Sequence, residues 1–139
     1  MKFMDILNFY KSKINSAITS STPTDPLYSF SISYTIKEFN DFDRSIYLGI
    51  KESSLDETVL TGSIKFTYLK LLVVIKCKSN STSEYERFVN ACQKISEILL
   101  NERYNDTEDK LANIHSNKID INIVDREPYW VCEILLTLS

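Results

Sequence analysis

Hydrophobic positions change their spacing along this chain, and each change marks an element. From Lys2 to Thr19, Phe3, Ile6, Leu7, Tyr10, Ile14, Ala17 and Ile18 recur at three- and four-residue steps, which predicts a helix with one apolar stripe. SSTPTDP follows, where Pro23 and Pro26 cannot continue a helix and Ser, Thr and Asp favour turns. In LYSFSISYTIK the period drops to two. Tyr28, Phe30, Ile32, Tyr34 and Ile36 alternate with Ser29, Ser31, Ser33, Thr35 and Lys37, predicting a strand with its large side chains on one face. EFNDFD reads as a turn, and Ile46, Leu48 and Ile50 alternate in a second strand over Arg44–Lys51. Glu52–Gly62 reads as a polar connector punctuated by Gly62.

Ser63–Lys78 is the longest predicted strand. Beyond Tyr68 it is apolar on both faces except at Lys70 and Lys76, as expected inside a sheet. A Ser/Asn/Thr patch comes next. Ser81 or Ser83 can accept a free N–H of a first helical turn, with Glu84 and Glu86 three residues on, the spacing of a capping box. Tyr85, Phe88, Cys92, Ile95 and Leu99 then line one face of a helix ending near Asn101. Residues Asn101–Asn117 are polar and acidic, with a turn of helix expected near Glu108–Ile114. Two strands close the chain, Lys118–Val124 and Tyr129–Leu138, joined by the hairpin-sized DREP. The expected order is α-β-β-β-α-β-β: an α+β domain with a largely antiparallel or mixed sheet and two helices packed on one face.

Composition narrows what such a domain does. At 139 residues the chain fits one domain, residues 1–139, large enough to bury a core without a metal or disulfide staple. Its net charge of −3, from 16 basic and 19 acidic residues, argues against a protein that grips nucleic-acid phosphates. Cys77, Cys92 and Cys132 are scattered without a CxxC pair, the usage of reduced thiols. Asp5 and Asn8 interrupt the apolar run of the N-terminus, unlike a secretion leader, and LLVVI at 71–75 is too short to span a bilayer. An intracellular protein without a membrane partner is expected. The sequons at Asn80 and Asn105 carry no weight without a leader.

Catalytic signatures are missing. Gly49 and Gly62 are the only glycines, so neither phosphate-binding loop, GxxxxGK[ST] nor GxGxxG, is possible, and the patch before the second helix reads as a cap. His115 is the only histidine, and all three cysteines lie on apolar faces, where packing accounts for them better than nucleophilic or zinc chemistry. Glu102, Asp106, Glu108 and Asp109 cluster in one loop, and Asp41 and Asp43 in a turn. They lack the spacing and glycine of an EF-hand and read as solvated charge. Strand aromatics without an RNP motif read as core rather than base-stacking platforms. No catalytic residue, cofactor or metal is expected. Glu133 stands out mid-strand between Val131 and Leu135, paired with Lys70 or Lys76 in the simpler account and across a subunit interface in the sharper one.

The third and last strands carry apolar residues on both faces, with Trp130, Cys132, Ile134, Leu136 and Leu138 on one and Tyr129, Val131 and Leu135 on the other. Two helices cover one face, so the second asks for a neighbouring copy, with Glu133, Val131 and Leu135 the candidates for self-association. In its N-terminal amphipathic helix, the unit SIKFTYLKLLVVIKCKSNSTSEYERFVNACQKISEILL and the closing DREPYWVCEILLTL, the chain resembles the tail terminator (tail completion, or minor capsid) proteins of long-tailed bacteriophages and phage-tail-like particles. The resemblance follows the order and length of elements over most of the chain. It implies a structural, non-enzymatic protein of the virion tail or neck: a homohexameric ring that ends tail-tube growth and offers a docking surface to the head connector or collar. Such rings often use a protruding hairpin, and here the segment in question is Phe39–Gly62. Mild acidity suits a ring through which DNA slides. The candidate partner-facing residues are Glu38, Asp41, Asp43, Arg44, Lys51 and Glu52, with Glu102, Asp106, Glu108 and Asp109 as an acidic rim. The alternatives are another neck protein, such as a head-completion protein, or a small ligand-binding or hydrolytic α+β enzyme using His115 with nearby carboxylates.

Overall fold

The computed structural model describes residues 3–57, 64–79, 81–104 and 116–139, and the side chains of all of these but 55–57 and 64–67. Its elements are α1 (Phe3–Thr19), β1 (Ser31–Ser33), α2 (Ile36–Asp41), β2 (Arg44–Glu57), β3 (Ile64–Lys78), α3 (Thr82–Asn101), β4 (Asn117–Arg126) and β5 (Tyr129–Leu138). The fold is α+β, with one mixed five-stranded sheet in the order β1-β2-β3-β5-β4. Only the short β1–β2 pair is parallel; β2–β3, β3–β5 and β4–β5 are antiparallel.

The core lies between the sheet and the two long helices. On α1, Ile6, Leu7, Tyr10 and Ile14 are buried, and on α3, Phe88, Ala91, Cys92, Ile95 and Leu99. Beneath them the sheet presents Ile46 and Leu48 of β2, Leu69, Leu71, Val73 and Ile75 of β3, and Cys132, Ile134, Leu136 and Leu138 of β5, all with no exposure. These residues alternate along each strand, as a pleated strand with one covered face requires. Ser81 caps α3, its hydroxyl accepting the Glu84 N–H at 3.4 Å. At the other end Asn117 Nδ2 donates to the carbonyls of Leu99 and Glu102, at 3.1 and 3.2 Å, and ties the start of β4 to the helix terminus.

The strand expected over Leu27–Lys37 is corrected to a three-residue strand followed by a helix. Phe30 is buried, and Ile32 and Tyr34 pack against the core as the alternation requires, but Tyr28 and Ile36 are 40% and 57% exposed. Ser29 sits at φ 70°, in the left-handed region that ends a strand run. Beyond Tyr34, Thr35 is extended and its hydroxyl accepts the Glu38 N–H at 3.3 Å, so T-x-x-E starts α2 where the periodicity alone expects more strand and EFNDFD a turn. The order is therefore α-β-α-β-β-α-β-β.

A second correction concerns β2, which runs to Glu57 rather than ending at Lys51 before a polar connector. Its polar residues stay in the ladder because β3 supplies partners through two register shifts, between Ile50 and Glu52 and between Ser54 and Leu55. The pairing of β3 with β5 ends at Leu69–Leu138, so residues 54–57 and 64–68 pair only with each other among the described residues. This two-stranded arm reaches about 15 Å past the end of β5 at about 3.3 Å per residue. The expected helical turn at Glu108–Ile114 lies outside the described residues.

Candidate functional site

Every second residue of the central strands points away from α1 and α3. Across the sheet, Gly49, Leu72, Leu135 and Asp120 make one row, Tyr47, Val74, Glu133 and Asn122 the next, and Ser45, Lys76, Val131 and Val124 a third. Leu72, Val74 and Leu135 are half-buried, although neither long helix lies on this side. Tyr47 leans back over Gly49, where a Cβ would overlap its hydroxyl; that glycine is a matter of space.

Short α2 covers one end of this open face. The Phe39 ring meets the Tyr47 ring edge-on, with centroids 6.4 Å apart. Lys76 Nζ lies over the Phe39 ring at 4.7 Å and over the Tyr129 ring at 4.6 Å, a cation held between two π faces. Burial lowers the Lys76 pKa, while Asp43 and Asp41 pull it the other way. The Tyr129 hydroxyl donates to Asp43 at 3.3 Å, and burial with that carboxylate raises its pKa. At the opposite end, the root of the arm, Lys70 pairs with Glu52 at 3.8 Å while the Tyr68 hydroxyl donates to Glu52 at 2.5 Å. That hydrogen bond raises the Tyr68 pKa. The open face thus carries half-buried Leu72, Val74 and Leu135 with Glu133 among them, between two charged, aromatic ends.

The candidates named from sequence scatter over this frame. Asp41 and Asp43 stand at the α2 end, Glu52 at the arm root, and Val131, Glu133 and Leu135 on the strip between them. Glu133 pairs with Arg126 of its own hairpin at 3.4 Å, rather than with Lys70 or Lys76. Glu38 is exposed on α2, and Lys51 is exposed between the register-shifted pairs of β2. Arg44 turns to the other side, its guanidinium over the Phe30 ring at 4.8 Å and its Nη2 donating to the Pro26 carbonyl at 3.4 Å. Burial, then the nearby Arg87, lowers its pKa. Glu102 lies at the far end of α3, where it pairs with Lys13 at 3.7 Å and its carbonyl accepts the Tyr10 hydroxyl at 3.2 Å. Asp106, Glu108, Asp109 and His115 lie outside the described residues.

Sequence reading passed over Tyr47, Phe39 and the Lys76 sandwich. The signal was present for Tyr47, which is out of phase with Ile46 and Leu48. It was absent for Lys76, whose two rings come from α2 and β5.

All three cysteines are buried and free. Burial pushes the Cys77 thiol up. The Cys92 and Cys132 thiols share a hydrogen bond that, with burial, raises Cys92 strongly. None of them has the electropositive, accessible setting of a reactive thiolate. Among the described residues, no group of three or more His, Cys, Asp or Glu side chains converges on a metal-sized site, and no helix is long and apolar enough to cross a membrane. Comparison with protein-family models and with curated proteins finds no match for this chain.

Proposed function

We propose that this protein is a structural assembly protein of the tail-terminator type, forming a homohexameric ring that caps a phage tail tube and offers its outer surface to the head connector. The β2–β3 arm carries this reading. A two-stranded ribbon is at best marginally stable alone in water, so one that projects past its sheet is explained by a partner that receives it. The half-buried strip of Leu72, Val74 and Leu135 supports the same reading, since a neighbouring copy would remove it from water. In such a ring Val131, Glu133 and Leu135 lie at the subunit contact, with the arm and its root at Glu52 on the tube side. Mild net acidity leaves the lumen without a tight hold on passing DNA.

Mass in solution and negative-stain images, with and without the cognate tail-tube protein, test this. Rings that block further tube growth are expected. A stable monomer at high concentration that neither closes into rings nor joins tube ends would overturn the proposal.

A further inference from the structure

One groove lies apart from the open face. It sits at the outer corner of the sheet, where the β4–β5 hairpin passes the start of α3, and encloses about 710 Å³. Tyr85 and Trp130 form one wall, their rings edge to face with centroids 5.1 Å apart and Trp130 backed by Phe88 at 6.2 Å. Ile123, 38% exposed, is the apolar floor. Asp125, the cross-strand neighbour of Trp130, and Glu127 also line it, both exposed. Glu127 accepts a hydrogen bond from Ser79 at 3.1 Å, while Asp125 has no partner among the described residues. Among the described residues, no Lys, Arg or His lines the groove.

Beside the groove runs β4, the last strand of the sheet, ten residues long and bonded only to β5 among the described residues. Its outer edge offers a row of backbone donors and acceptors to an added strand. Edge and groove are adjacent because Ile123 and Asp125 belong to both.

We infer that this corner binds an extended segment of a partner protein, which adds as a strand to β4 and places one arginine or lysine side chain in the groove. The strand edge supplies affinity without sequence preference. The groove selects the side chain, with its carboxylates meeting the positive charge and its rings receiving the alkyl stem and the cation face. An acidic residue at that position would meet two carboxylates with no neutralising group. Ring formation is not required, so a failed assembly test leaves this inference standing, and the reverse also holds.

Trp130 is the only tryptophan and reports binding directly. The full-length protein is titrated with an acetylated, amidated hexapeptide alternating valine and threonine, with one central arginine, and with the same peptide carrying glutamate instead. A saturable change in Trp130 fluorescence is expected for the arginine peptide, with binding at least tenfold weaker for the glutamate peptide and weakening as salt rises. Asp125→Asn with Glu127→Gln should reduce the arginine preference at least tenfold and leave the unfolding midpoint nearly unchanged. Equal response to the two peptides, response to neither, or an undiminished preference in the double variant would overturn the inference.

Discussion

The two faces of the sheet are made from the same strands, yet they lead different lives. Along β3, Leu69, Leu71, Val73 and Ile75 lie under α1 and α3 with no exposure, while Leu72 and Val74 between them stay half-buried on the other side. Hydropathy does not separate the two sets, since leucine and valine occur in both. The difference comes from what each side is given: two long amphipathic helices on one, and on the other the six residues of α2 with a lysine clamped between rings. A strand apolar on both faces therefore reveals a central position in the sheet, and only the cover shows which face is core.

Cutting into the two faces gives the largest contrast. Leu71→Ala should cost about 2–5 kcal/mol of unfolding free energy, because it opens a cavity under the helices. Leu72→Ala, one residue away, should cost about 1 kcal/mol in dilute protein, where only part of a side chain leaves water again. Urea unfolding measures both. Repeating the titration at rising concentration sharpens the comparison, because the Leu72 variant should gain less from concentration than the parent if copies meet on that face. Equal losses at all concentrations would mean that the two faces are equally packed.

A smaller effect is expected at the edges of each cover. Thr35→Ala removes the cap of α2 over the open face, and Ser81→Ala the cap of α3 over the core, each at about 1 kcal/mol. The first should also loosen the Phe39–Tyr47 contact, visible as faster hydrogen exchange in β1 and at the start of β2, while the second should leave those amides unchanged.

The smallest concerns acid. Thr22 donates its backbone N–H to Asp25 at 2.8 Å, which lowers that carboxyl below its ordinary 3.8. Asp25 belongs to the turn that Arg87 fastens to α3 by donating to the carbonyls of Pro23 and Asp25, at 3.2 and 3.0 Å. A carboxylate whose folded pKa is depressed adds stability above its unfolded pKa and loses it as pH falls through the folded value. Stability should thus decline below about pH 4, and Asp25→Asn should flatten that slope. An unchanged slope would show that other carboxylates govern the acid limb.

Much of the fold was legible because period and caps are properties of a short stretch. α1, β3, α3 and β5 follow their hydrophobic spacing nearly to the residue, and Ser81 marks the start of α3 as its hydroxyl chemistry requires. The same logic misled at Tyr28–Lys37, where alternation competes with a T-x-x-E cap and the cap wins once Thr35 is passed. Phe30, Ile32 and Tyr34 still face inward, with Tyr34 donating to Asn8 of α1 at 2.6 Å under the charge of Lys11. The side of the sheet was right there and the length of the strand was not.

What the sequence determined by itself is the set of local conformations: which stretches are amphipathic helix, which are pleated, and where a hydroxyl can begin a helix. The tertiary structure alone decided the extension of β2 into an arm, since residues 52–57, polar except for Leu55, are strand only because β3 offers them partners. It also decided which face of β3 is core, and brought Tyr85 beside Trp130 and Asp125 at one corner. Those outcomes depend on contacts between separate segments of the chain, and no pattern within a single stretch encodes which other stretch it will meet.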